Sequence, residues 1–258
     1  GILVWWLGGE AFARWLAGWR TARTHLDIAQ RVTLVYLVLL FGYSLLPLDL
    51  TISAVEVFHK FREGKLNLIP FARLPDTPAQ AVYDLVSDML LWFAPALLWR
   101  WAKKTSVLRV WAGMTGAAVL LEILQLFVYS RVSDVTDVFT AAIGAALGVW
   151  AATLAGKETA PEIPGDLPKQ QVSSNGFLLV MPLALATVWS AGILAVFWYP
   201  FEFRSDGAYL RGRLAEFLSS APFEAYYFGS EFRAATEVMH KVLFFIPLGM
   251  LLGWFVTR

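Results

Sequence analysis

From Phe177 to Pro200 the chain carries no charged residue. A helix rising about 1.5 Å per residue over such a run crosses a hydrocarbon core of about 30 Å. A helix that is apolar all round belongs in a large core or in a membrane. Five more apolar runs recur along the chain: Val32 to Leu48, Val82 to Trp101, Val110 to Leu121, Val138 to Ala155 and Val242 to Val256. Together they predict an all-α polytopic transmembrane helix bundle of about six spans. Composition agrees, because 58% of the residues are hydrophobic and 16% charged, against about 25% charged in soluble domains. The expected location is the cell membrane and the first partner is the lipid bilayer.

The net charge is +1 and basic residues form no aromatic-interleaved patch, which argues against a nucleic-acid partner. The absence of Cys removes disulfides, thiolate metal sites and a Cys nucleophile. No D-D-x-x-D, H-E-x-x-H or Walker A pattern occurs, and the reading includes no cofactor and no bound metal. The opening Gly1 to Leu7 lacks the basic lead-in of a secretory signal. Residues 10 to 20 place Phe12, Trp15, Leu16 and Trp19 at helical spacing, which predicts an interfacial helix, with burial inside the bundle as the plainer alternative.

The spans fall into two groups. Residues 1–31 read as interfacial helix and lead-in, 32–155 as a four-span unit, 156–176 as a linker rich in Pro and Ser, and 177–258 as a partial second unit. Pro47 and Pro200 lie at an offset of 153, while Pro70-Phe71 matches Pro222-Phe223 and Pro95 matches Pro247 at 152. Self-similarity at a fixed offset signals duplicated units. Residues 49 to 81 mix charge with apolar residues and read as a surface-hugging loop. Gly144 with Gly148, and Ala112 with Gly116, are small-residue pairs that predict close helix contact.

Between the third and fourth spans, Glu122, Gln125, Arg131, Asp134 and Asp137 stand in or beside the membrane. A charge inside a span costs about 2.5 to 3.5 kcal/mol on insertion scales, so these residues are the leading functional candidates. Glu122 is expected about 9 Å inside the end of its helix, with Gln125 on the same face. An Arg131 to Glu122 pair would relieve both charges. Asp134 or Ser133 has a plainer role as a helix cap, as does Asp137 at the positive N-terminus of the fourth span. The three His residues are scattered and read as structural or surface groups.

Arg14, Arg20, Arg23 and Arg31 precede the first span, and Arg100, Lys103, Lys104 and Arg109 crowd the second loop. By the positive-inside rule both segments are cytoplasmic, which makes the N-terminus cytoplasmic. The candidate ligand-binding residues Asp49, Asn67, Asp88, Glu122, Gln125, Arg131, Asp134 and Asp137 then share the outer side, together with Asp84.

These residues carry a resemblance. Leu46-Pro47, Asn67-Leu-Ile-Pro70-Phe71, Glu122-x-x-Gln125, Arg131-x-x-Asp134-x-x-Asp137 followed by Gly144 and Gly148, and Phe245-Ile-Pro-Leu-Gly249 are similar to the VanZ-like family of bacterial multi-pass membrane proteins. The resemblance spans most of residues 32 to 155 and the second unit from about 194. It implies a four-span helical unit in the cell envelope, and the family's namesake is associated with reduced susceptibility to teicoplanin-type glycopeptide antibiotics. Two departures stand out. An Asn expected ahead of the Phe-x-Pro run is Lys241 in the second unit and Asp88 or Met89 in the first, and the second unit lacks the acidic stretch.

Three functions compete. In the first, the outer polar pocket binds an envelope lipid head group or lipid-linked glycan, with Arg131 on a phosphate or carboxylate and Asn67 and Gln125 on sugar or amide groups. In the second, the protein is an intramembrane enzyme with Glu122 as general acid or base and a divalent cation held through water by Asp134 and Asp137. In the third, the polar groups join helices in a structural scaffold.

Overall fold

The computed structural model describes residues 10, 13–15, 17–18, 25–51, 53–103, 105–156, 174–201, 206–219 and 231–256. Most of the expected interfacial helix, Lys104, the 157–173 linker and the Pro222-Phe223 match lie outside the described residues.

The chain forms α1 (His25–Leu45), α2 (Ala54–Arg62), β1 (Leu66–Asn67), α3 (Pro78–Ala102), α4 (Val107–Gln125), β2 (Ser133–Asp134), α5 (Val135–Gly156), α6 (Ser174–Trp198), α7 (Gly207–Ser219) and α8 (Glu231–Val256). Among the described residues α1, α3, α4, α5 and α8 are long and apolar enough to cross a membrane, and α6 adds a shorter apolar segment over Pro182–Trp198. The protein is an all-α multi-pass membrane bundle.

Helix boundaries run past the apolar runs. Hydropathy marks the greasy centre of a span, whereas the helix continues through polar turns at either end. The last helix shows this best, since α8 starts at Glu231 and carries Arg233, Glu237, His240 and Lys241 before its apolar body. The 49–81 segment likewise contains a helix, α2, where sequence patterning suggested only a loop.

At the centre lies α3, packed most extensively on α5 and flanked by α1 and α4, while α8 packs on α1 and α6. Gly144 and Gly148 explain the α3–α5 contact, because a Cβ at either would stand 2.2 Å from the Met89 carbonyl oxygen or 2.3 Å from that of Phe93. The expected counterpart in α4 is corrected: Gly116 meets nothing within 4 Å and both it and Ala112 are exposed, so this pair faces outward.

Tyr36 Oη donates to the Leu91 carbonyl at 2.9 Å, joining α1 to α3. In the same way Trp189 Nε1 donates to the Phe244 carbonyl at 2.8 Å, joining α6 to α8, and both bonds span 55 positions. The peptide bonds before Pro47 and Pro200 are both cis, and Leu48 and Phe201 after them have φ of 64° and 59°.

One end of the bundle is closed by loops. β1 and β2 pair in parallel, with Leu66 opposite Ser133 and Asn67 opposite Asp134, and an isolated bridge joins Leu50 to Val128. These short pairings hold the α1–α3 connection against the α4–α5 connection, and so fix the loops around the polar residues.

Candidate functional site

The polar end is built where α1 finishes, α3 begins, α4 finishes and α5 begins. A small cavity of about 50 Å³ lies among these helices, lined on its polar side by Tyr43, Ser44, Asp88, Glu122, Gln125 and Asp137. Apolar side chains, including Leu40 and Trp92, form the rest of its wall. Each acid comes from a different span: Asp88 from α3, Glu122 from the last turn of α4, and Asp137 from the first turn of α5.

Glu122 sits three residues before the end of its helix, shallower than its expected depth of about 9 Å. Its Oε2 accepts the backbone N–H of Asp134 at 2.9 Å. Gln125 is 7% exposed, donates Nε2 to the Ser44 carbonyl at 3.2 Å, and keeps Oε1 buried without a hydrogen-bond partner. Because a carbonyl oxygen accepts only, that bond assigns the amide orientation and turns Oε1 away from Ser44.

Arg131 does not meet Glu122, contrary to the expected pairing. Its Nε donates to the Leu46 carbonyl at 2.7 Å and Nη2 to the Tyr43 carbonyl at 2.8 Å. The reason is local: the last carbonyls of a helix have no intrahelical donor and carry partial negative charge, so the end of α1 takes the guanidinium. On its other side Arg131 lines an open cleft of about 420 Å³ with Pro47, Ser130, Phe232, Arg233 and Thr236.

The remaining candidates are placed apart from the cavity. Asp134 Oδ1 accepts the Thr136 N–H at 2.7 Å, the cap at the start of α5 that its position suggested, and Oδ2 accepts from Asn67 Nδ2 at 2.8 Å. Asn67 Oδ1 in turn accepts the Ile69 N–H at 3.3 Å, so Asn67 organises its own loop. Asp49 is exposed and its carboxylate accepts from both N and Oγ of Ser130, at 3.0 and 2.8 Å. Asp84 accepts from Gln80 at 2.8 Å.

Lys60 is the residue that sequence reading missed. It is 0% exposed, and its Nζ donates to the carbonyls of Gln125 and Val128, the latter at 2.8 Å. Burial, and then the nearby charge of Lys65, pull its pKa below the ordinary 10.5. The only sequence signal is position: Val55, Phe58 and Phe61 of α2 are more than half exposed while Val57, three residues before Lys60, is partly buried, so the buried side of this helix is the one bearing Lys60. Nearby, Lys65 bridges Glu63 at 2.9 Å and Tyr129 donates to the same carboxylate at 3.0 Å, which together hold Glu63 below the usual carboxylate range.

Residues 33–156 match the family model VanZ/LLP1. Over this stretch the chain is similar to the VanZ/LLP1 family. The match runs from within α1 to the end of α5, and every residue lining the acidic cavity lies in it. The Arg233 side of the open cleft comes from outside this VanZ-like unit. Neither a curated protein nor a solved structure matches the chain.

Proposed function

We propose that the VanZ-like unit binds an envelope lipid head group or lipid-linked glycan at the polar end of the bundle, on the outer face of the cell membrane with the N-terminus in the cytoplasm. The observation that supports this reading is the cavity shared by Asp88, Glu122, Gln125 and Asp137. Polar groups at membrane depth are costly unless they are paired or have a ligand to bind. Among the described residues no basic side chain is hydrogen-bonded or ion-paired to these three carboxylates.

A phosphate is met separately, at the cleft lined by Arg131 and Arg233, where Arg131 keeps Nη1 beyond its two carbonyl bonds and Arg233 Nε pairs with Glu237 at 3.3 Å. Within this reading, a link to teicoplanin-type susceptibility follows from competition for, or masking of, an envelope component. The catalytic alternative keeps Glu122 as acid or base in the same cavity, but its cation bridge through Asp134 loses support because both Asp134 oxygens already accept hydrogen bonds. The test is mass spectrometry of lipid co-purifying with the protein. A defined head-group class, retained by the wild type and depleted in Glu122→Gln, is expected; identical profiles would overturn the reading.

We also propose that residues 177–258 are a partial second copy of the unit. The Tyr36–Leu91 and Trp189–Phe244 hydrogen bonds support it, since each residue of the second pair lies 153 positions after its counterpart, the offset of Pro47 and Pro200. At that offset Lys241 corresponds to Asp88, so the second copy has exchanged a carboxylate of the site for a cation.

A further inference from the structure

We propose that the cavity between α1, α3, α4 and α5 receives the primary ammonium group of an amine-bearing lipid. This deepens, and rests on, the head-group reading above. The first ground is an imbalance of acceptors over donors. Asp88, Glu122 and Asp137 present carboxylates to one cavity, and Gln125 adds a buried Oε1 with no partner. Ordinarily a buried amide oxygen is satisfied, so its partner is to be sought in a ligand.

The second ground is that the nearby cations are committed elsewhere. Arg131 is fastened to the Tyr43 and Leu46 carbonyls, and Lys60 to those of Gln125 and Val128. Neither neutralises the cavity by direct contact. The third ground is spacing. Among the described residues no group of three His, Asp or Glu side chains stands close enough to hold a metal ion. A metal needs its oxygens at about 2.0–2.6 Å, whereas an ammonium nitrogen reaches acceptors at about 2.7–2.9 Å and offers three separate donors. Three donors on one nitrogen match the several separate acceptors that line this cavity.

Size completes the argument. A cavity of about 50 Å³ holds only a few groups the size of a water molecule, each needing at least about 10–15 Å³ by the same measure. A trimethylammonium is larger and has no N–H, so it would leave Gln125 Oε1 and the carboxylates without donors.

The experiment uses the full chain in nanodiscs and measures retention of phosphatidylethanolamine, its N-methyl and N,N-dimethyl derivatives, phosphatidylcholine and phosphatidylglycerol by native mass spectrometry at neutral pH. The expected result is retention falling at each methylation, with at least a tenfold preference for phosphatidylethanolamine over phosphatidylcholine. Because this series needs no variant, folding is not in question. Glu122→Gln combined with Asp137→Asn is expected to abolish the preference while leaving phosphate-dependent retention intact. Equal retention of all the phospholipids would overturn the ammonium assignment and leave head-group binding standing. No specific retention of any lipid would overturn both.

Discussion

Arg131 donates through Nη2 to the backbone carbonyl of Tyr43 at 2.8 Å. Together with the bond from Nε to Leu46, this ties the α4–α5 loop to the C-terminal end of α1. The residue therefore has two faces, one on the helix end and one on the cleft shared with Arg233. Replacing Arg131 by Ala removes two charge-assisted hydrogen bonds, each worth about 1.5–3 kcal/mol. Thermal unfolding of the purified protein should show a clear loss of stability. Arg131→Lys should recover only part of it, since an ammonium cannot reproduce the planar fork.

A buried lysine tied to main-chain oxygens makes a second prediction. Lys60→Met keeps most of the apolar stem and removes the charge-assisted bonds to the Gln125 and Val128 carbonyls, which keep only their backbone N–H partners, for a cost of about 1.5–3 kcal/mol. The loss should be accompanied by faster hydrogen exchange in residues 125–130. An unchanged exchange pattern there would contradict the role given to Lys60.

The glycines of α5 give a matched pair with a control. Gly148→Ala drives a methyl to 2.3 Å from the Phe93 carbonyl oxygen, so α3 and α5 must part, and a cost of about 1–3 kcal/mol is expected. Gly116→Ala meets open space and should be neutral or slightly stabilising, by up to about 1 kcal/mol of helix propensity. Unfolding in detergent compares the two directly.

The paired hydrogen bonds test the duplication. Tyr36→Phe and Trp189→Phe each delete one buried donor to a helix carbonyl, and each should cost about 1 kcal/mol. The Trp change also trims a ring from the Phe93, Trp189 and Phe244 stack, which adds to its effect. A null effect at Tyr36 would argue that the α1–α3 bond is incidental.

The spans were legible because apolar runs of membrane length admit few other structures. Their ends were not, since a helix can pass through Glu231, Arg233 and Glu237 once they lie beyond the apolar core. Glu122, Gln125 and Asp137 were legible as candidates through the cost of polarity at such depth, and Asp88 through its place in an apolar span. The Arg131 partner was not, because a sequence lists side chains and the winning acceptors were main-chain oxygens at a helix end. Lys60 was hidden for the same reason. A lysine in a mixed, amphipathic segment reads as solvated until the fold brings three main-chain carbonyls to its ammonium.

Whether Asp88, Glu122 and Asp137 serve one ligand is tested most directly by a coupling measurement. Retention of the co-purifying lipid would be compared for Asp88→Asn, Glu122→Gln and the double variant. Residues that share one ligand couple, so the double variant should retain little less than the weaker single, with an interaction of about 0.5–3 kcal/mol. Full retention in both single variants, or losses that simply add, would contradict a common cavity site.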